Sequence, residues 1–202
     1  MVRSVYDDWA RALIYLGHGG GTLARFEEPD RVTQAMRAVC LAHLGRGEEA
    51  GAIFERFPGI TLDTDESAIA NIVGLLEAAV LIGDREMAGA LARRLAPLAS
   101  GPMARERMVN YARLLGGAAR LLGEPEQARA YYQQAVEVCQ KIRFRPEIAL
   151  ARLELAELLL EHYPDEKAEA LEHLDFAIAE FREMKMQPSL ERALKHKGLL
   201  HA

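Results

Sequence analysis

A short phrase recurs three times along the chain, and its spacing constrains the fold more than any other feature. The phrases are GRGEEA from Gly45, GDREMA from Gly83 and GEPEQA from Gly123, each with an alanine (Ala50, Ala88, Ala128) five positions after its glycine. Each follows an apolar run and opens a new helical pattern. The glycines stand 83 − 45 = 38 and 123 − 83 = 40 residues apart. Units of this size stack into solenoids, which usually present surfaces and seldom perform chemistry.

Composition agrees with helix-on-helix packing. Half of the 202 residues are apolar and only 6% are aromatic, so small and aliphatic side chains must build the core. The net charge is 25 − 30 = −5, a poor footprint for the phosphates of nucleic acid. No basic amphipathic helix of the kind that lies on membranes is present. Neither nucleic acid nor membrane is therefore expected as a direct partner. Cys40 and Cys139 fall among apolar neighbours and read as buried thiols in a reducing compartment, not as a disulfide framework. Asp7 and Asp8 stand where a signal peptide needs an apolar run, and no uncharged stretch reaches the ~20 residues of a membrane span. A cytoplasmic location is expected.

Helical periodicity runs through almost the whole chain, without sustained strand-like alternation. Val2–Leu16 reads as a first helix, ended by the run Gly17-His18-Gly19-Gly20-Gly21. Helices follow from about Asp30 to Leu44 and from Glu48 to Phe57. The next is expected from Thr64 to Ile82, with Asp63 capping and Glu66 completing a capping box. Its partner runs from Asp84 to about Leu98. A long helix is expected from Met103 to Leu122, then one from Pro125 to about Ile142, where a first-turn proline needs no N–H. Pro146–His162, Asp165–Met184 and Ser189–Leu200 complete the set. The connections are too short for domain linkers, so residues 1–202 read as one helical domain.

The best copy of the repeat has Leu115-Gly116, then Gly123, Ala128, Tyr132 and Ala135 at offsets of seven, five, four and three residues. This small–large–small pattern resembles the tetratricopeptide repeat. Other copies depart from it: Phe57 and Ala92 occupy slots of the wrong size, and the last copy (Leu155-Ala156, Ala170, Leu174, Ala177) has no glycine. The period is also nearer 40 than the standard 34. Longer, degenerate units of this kind are similar to the repeat regions of bacterial LuxR-type ATP-dependent regulators and multidomain nucleotide cyclases. The resemblance covers about Arg31 to Leu199. It implies an all-α, right-handed superhelical solenoid of antiparallel helix pairs, about four units with flanking helices. Small residues at Gly116, Ala128 and Ala135 would let paired helices approach, while Tyr132 and Phe54 fill the gaps between pairs.

In such a stack the first helix of each pair lines the concave wall. The resemblance places Asn71, Glu77, Asn110, Arg113, Arg120, Glu157 and Glu161 there, over an apolar floor of Val80, Leu81 and Leu160. It implies a non-catalytic interaction or regulatory scaffold, docking a peptide, a protein partner or sister domains of a larger chain. The alternative is an effector-sensing domain that binds a small molecule on the same face. Val2–Leu16 reads as the second helix of a missing pair, which implies a fragment and leaves an apolar end that could form a homodimer.

Chemical motifs do not survive inspection, and neither an enzyme nor a cofactor is expected. His18-Gly19-Gly20-Gly21 resembles an oxyanion-hole loop, but none of Ser4, Ser67, Ser100 and Ser189 sits in the G-x-S-x-G elbow that loop requires. Thr22 follows the same glycines without a phosphate-binding lysine. Glu161, His162, Glu172 and His173 lack the one-turn spacing of a helical metal pair. The basic stretch Lys141–Arg145 is expected to be a solvated helix C-terminus, and Arg192, Lys195, His196 and Lys197 a solvated tail.

Overall fold

A computed structural model describes residues 10–26, 31–62, 67–99, 105–106 and 109–200. The fold is all-α. Residues 10–15 form α1, and a 3-10 stretch (Gly19–Phe26) leads to α2 (Arg31–His43) and α3 (Gly47–Phe54). Then come α4 (Ile69–Ile82), α5 (Arg85–Leu95), α6 (Tyr111–Leu122) and α7 (Pro125–Lys141). The chain finishes with α8 (Arg145–His162), α9 (Lys167–Met184) and α10 (Gln187–Leu200). The strand pairing among the described residues is a two-residue ladder before α6, β1 (Arg105–Glu106) antiparallel to β2 (Val109–Asn110).

One terminating device recurs at six helix ends. A backbone N–H reaches back five residues at His18→Leu13, Arg46→Leu41, Asp84→Ala79, Glu124→Ala119, Phe144→Cys139 and Met186→Phe181, at 2.7–2.9 Å. The residue before each donor has positive φ: Gly17, Gly45, Gly83, Gly123, Arg143 and Lys185. This is the Schellman motif, which satisfies the last carbonyls of a helix. The three glycines of the repeated phrase thus close a helix, as their spacing suggests. Arg143 and Lys185 adopt the same left-handed turn without glycine's steric freedom.

Several boundaries differ from those expected. The fourth helix begins at Ile69, not Thr64, after Ala68 at a cap position that supplies no side-chain acceptor; Asp63 and Glu66 lie outside the described residues. The sixth begins at Tyr111, not Met103, because the Asn110 side chain accepts from Arg113 N and caps the helix there. The third stops at Phe54, and turns carry the chain past Pro58. Past the Gly17 turn, the rest of the glycine run joins the following residues in one 3-10 stretch, Gly19–Phe26.

Each helix from α2 onward packs against the next, and α2, α4, α6, α8 and α10 also touch in series. Small residues permit that approach. A Cβ on Gly74 would stand 3.3 Å from Ala35 Cβ, and one on Gly117 would stand 3.1 Å from Val80 Cγ1. The tightest fit lies inside a pair: a Cβ on Gly116 would sit 2.5 Å from Tyr132 Cε1. Tyr132 therefore covers Gly116 of its own pair, while also joining the core with Ala149, Leu150 and Leu153 of α8.

Helix α1 departs from the place expected of it. As the last member of a preceding pair it would meet α2 and α3 alone. Instead Ala10 and Ile14 join Met36, Val39 and Cys40 of α2 in one apolar cluster, and Tyr15 joins the cluster of α8. Gly17 packs on Pro188 of α10, 3.2 Å from where its Cβ would be. Residues 10–17 thus lie across α2, α8 and α10.

Candidate functional site

Seven residues are two helical turns, so side chains seven apart share a face. On α6 these are Arg113 and Arg120; on α8 they are Glu147, Glu154 and Glu161, with Glu157 between. The packing of α6 on α8 zips the two sets together. Arg113 Nε donates to Glu147 Oε2 at 2.8 Å, and its Nη1 donates to Glu154 Oε1 at 2.9 Å. Two turns on, Arg120 Nη1 donates to Glu157 Oε2 at 3.0 Å, and its Nη2 donates to Glu161 Oε2 at 2.7 Å. Arg192 of α10 extends the ladder with Nε to Glu157 Oε1 at 2.6 Å, beside His196 Nε2 at 3.0 Å from the same oxygen.

Helix α1 adds a second polar layer. Arg11 Nη1 lies 2.5 Å from Glu77 Oε1, which His43 Nε2 also approaches at 3.2 Å. Tyr15 Oη donates to Glu147 Oε1 at 3.0 Å, and Asn110 N donates to Glu147 Oε2 at 2.9 Å. Glu147 is fully buried and takes three donors, one from α1 and two from the start of α6. Buried ions cost several kcal/mol each in lost hydration, so such groups persist only when paired and hydrogen-bonded.

The surroundings move several ionisations. Burial pushes the Glu77 carboxyl up, but Arg11 and His43 outweigh it and hold the group well below the usual carboxylate range. Burial also raises Glu154, and here the attraction of Arg113 and Arg192 does not overcome it. Glu157 ends lowered, because Arg192, Arg120 and His196 together exceed its burial penalty. Tyr15 and Tyr132 are both raised, chiefly by burial, and keep their protons.

Beside this ladder is a cavity of about 640 Å³. Val80, Leu114, Gly117, Leu121 and Leu150 supply apolar lining, and Arg85, Arg120, Glu161 and Arg192 supply charge. Ile14 and Tyr15 of α1 and Pro188 and Ser189 of α10 also line it. Its size falls within the range typical of small-molecule sites.

Of the seven residues placed on the inner wall by sequence, Glu77, Arg113, Arg120 and Glu161 line this cavity. Glu157 contacts the ladder from a nearly buried position. Asn71 is buried in α4 with Oδ1 unpartnered and Asn110 caps α6; neither lines the cavity. Two groups expected to be solvated are exposed but also make ion pairs. Arg145 opens α8 and forks onto Glu180 and Glu183 of α9, while Arg192 and His196 of the basic tail grip Glu157 and Lys197 reaches Asp175. Sequence reasoning missed Tyr15, Glu147, Glu154 and Arg192. The heptad-spaced carboxylates of α8 opposite heptad-spaced arginines of α6 were the available signal for two of them.

Among the described residues no group of three or more His, Cys, Asp or Glu side chains is placed to hold a metal ion. His162 and His173 pair separately, with Glu161 and Glu169. No described helix is long and apolar enough to cross a membrane. Cys40 and Cys139 are buried and not joined by a disulfide. Comparison with family models, curated proteins and solved structures finds no match.

Proposed function

We propose that the chain is a non-catalytic, cytoplasmic interaction module of the tetratricopeptide-like kind. Its helix pairs stack as a right-handed solenoid and dock a protein or peptide partner, or a sister domain of a larger signalling chain. The docking face is the one formed by α2, α4, α6, α8 and α10. A cavity on that face with aliphatic lining and an arginine and glutamate rim carries the reading, because it offers apolar anchoring and orienting charge together. Glu147 and Glu157 are occupied in holding helices together, so partner docking falls to rim groups such as Arg85, Arg120, Glu161 and the half-exposed Leu81.

Affinity capture with matched baits tests this. A partner retained by the wild type and by the outer variant Arg93→Glu, but lost from Val80→Asp and Arg120→Glu with helicity intact, supports it. Equal capture by all four removes this face from consideration.

A second reading is favoured by a separate observation: α1 and α10 both line the cavity and close part of its perimeter. A small-molecule effector would fit a partly enclosed space better than an extended peptide would. Binding to the folded form alone must raise its melting temperature, which a metabolite screen would detect.

A further inference from the structure

Three polar atoms at the cavity lack partners. Arg113 spends Nε and Nη1 on Glu147 and Glu154, and its Nη2 makes no hydrogen bond to a described residue. Glu154 accepts through Oε1 and leaves Oε2 uncommitted. Tyr132 is 1% exposed, and its Oη makes no hydrogen bond among the described residues. None of the three belongs to the fully buried unpartnered atoms, so each reaches accessible space, and the cavity is the space that all three side chains line. Val80, Leu114, Gly117 and Leu150 surround them with aliphatic surface.

We propose that this cavity binds a small amphipathic carboxylate, with its head on Arg113 Nη2, Tyr132 Oη and Glu154 and its apolar body against Val80, Leu114 and Leu150. The inference rests on the small-molecule reading and names its ligand class. The head-group chemistry follows from the protonation of the three groups. A guanidinium only donates. Tyr132 is held in its protonated form by burial and can donate. Burial raises the Glu154 carboxyl, which eases its protonation when an anion arrives, and the protonated carboxyl then donates. Three convergent donors suit a head that only accepts, and an ammonium would find two of them repulsive or mismatched.

Charge balance agrees. Arg113 and Arg192 face Glu154 from α6 and α10, Glu147 and Glu157 flank it on α8, and Tyr132 approaches from α7. With Glu154 neutral, Arg113 faces the single carboxylate of Glu147 and keeps charge for a ligand. Binding therefore takes up one proton, retained on Glu154. No bond is made or broken in the ligand.

Calorimetry on the intact chain tests this with three probes of equal chain length: octanoate, octylamine and octanol. Octanoate is expected to bind and the other two to bind at least tenfold more weakly, as a lost hydrogen bond to a charged group implies (roughly tenfold or more). Tyr132→Phe keeps the ring on Gly116 and should weaken octanoate by about tenfold. Glu154→Gln donates permanently and should bind octanoate without the proton uptake seen in the wild type. Preference for octylamine or octanol overturns the carboxylate assignment while leaving a small-molecule site in place. Binding of none of the three overturns both. Octanoate affinity untouched by Tyr132→Phe, or proton uptake that survives Glu154→Gln, overturns the assigned head-group contacts.

Discussion

Tyr15 donates its hydroxyl to Glu147 across 3.0 Å, although 132 residues separate them. This bond ties α1 to α8 at the carboxylate that also holds Arg113 and the start of α6. Helix α1 is thereby joined to the start of α6 and to α8 through one buried acid. Tyr15→Phe removes the donor and leaves the ring, so a loss of about 1–2 kcal/mol is expected in denaturant unfolding. Glu147→Ala strands Arg113 without its closest carboxylate and should cost more, about 3–5 kcal/mol. Equal effects of the two substitutions would show that Glu147 does not serve both partners.

Acid should weaken the α1 attachment through Glu77. Its carboxyl is held below the usual range in the folded chain, so it binds fewer protons than in the unfolded chain. The stability it contributes is present above the ordinary glutamate pKa and is lost as pH falls toward the lowered value. Glu77→Gln should destabilise the protein at pH 7 and make its unfolding free energy less steep between about pH 5 and pH 3. An unchanged slope in urea titrations would remove Glu77 from the acid response.

Gly116 is required by Tyr132. Alanine there gains about 1 kcal/mol of helix propensity but places Cβ 2.5 Å from an aromatic carbon, and overpacking costs about 1–3 kcal/mol. The clash should win, with a net loss of about 1–2 kcal/mol. In a Tyr132→Leu background the same substitution should be neutral or stabilising, and thermal unfolding of the four-member cycle measures the coupling.

Helix ends show how far local sequence reaches. Gly83 and Gly123 were legible as terminators, Asp84 as the start of α5 and Pro125 as the start of α7, because each acts on its immediate neighbours. The left-handed turns at Arg143 and Lys185 were not, since neither residue type advertises that conformation. The start of α6 was missed for a related reason: periodicity continues upstream of Asn110 although the cap is made there. The polar ladder was half legible. The resemblance put Arg113, Arg120, Glu157 and Glu161 on one wall, but a repeat pattern does not say that α1 crosses it. Tyr15, Arg11 and Pro188 reach the site through tertiary packing alone. Asn71 is buried and lies outside the cavity lining, a depth that the sequence pattern does not report.

Lys185 offers a gain. A non-glycine residue in the left-handed region carries a cost of about 1–2 kcal/mol, partly offset by the greater unfolded-state entropy of glycine. Lys185→Gly should therefore raise stability by about 0.5–1 kcal/mol, visible as a rise of about 1–4 °C in melting temperature. A fall would mean that the lysine side chain makes a contact worth more than the strain.

Site-specific photo-crosslinking reports most directly on whether the face of the first helices is where partners bind. A benzophenone amino acid at Leu81, beside the cavity, is compared in cells with the same group at Ile142, an exposed position that does not line it. A discrete adduct from Leu81 that disappears with Arg120→Glu and is absent from Ile142 is the expected result. Adducts that form equally from both positions, or from Ile142 alone, would contradict it.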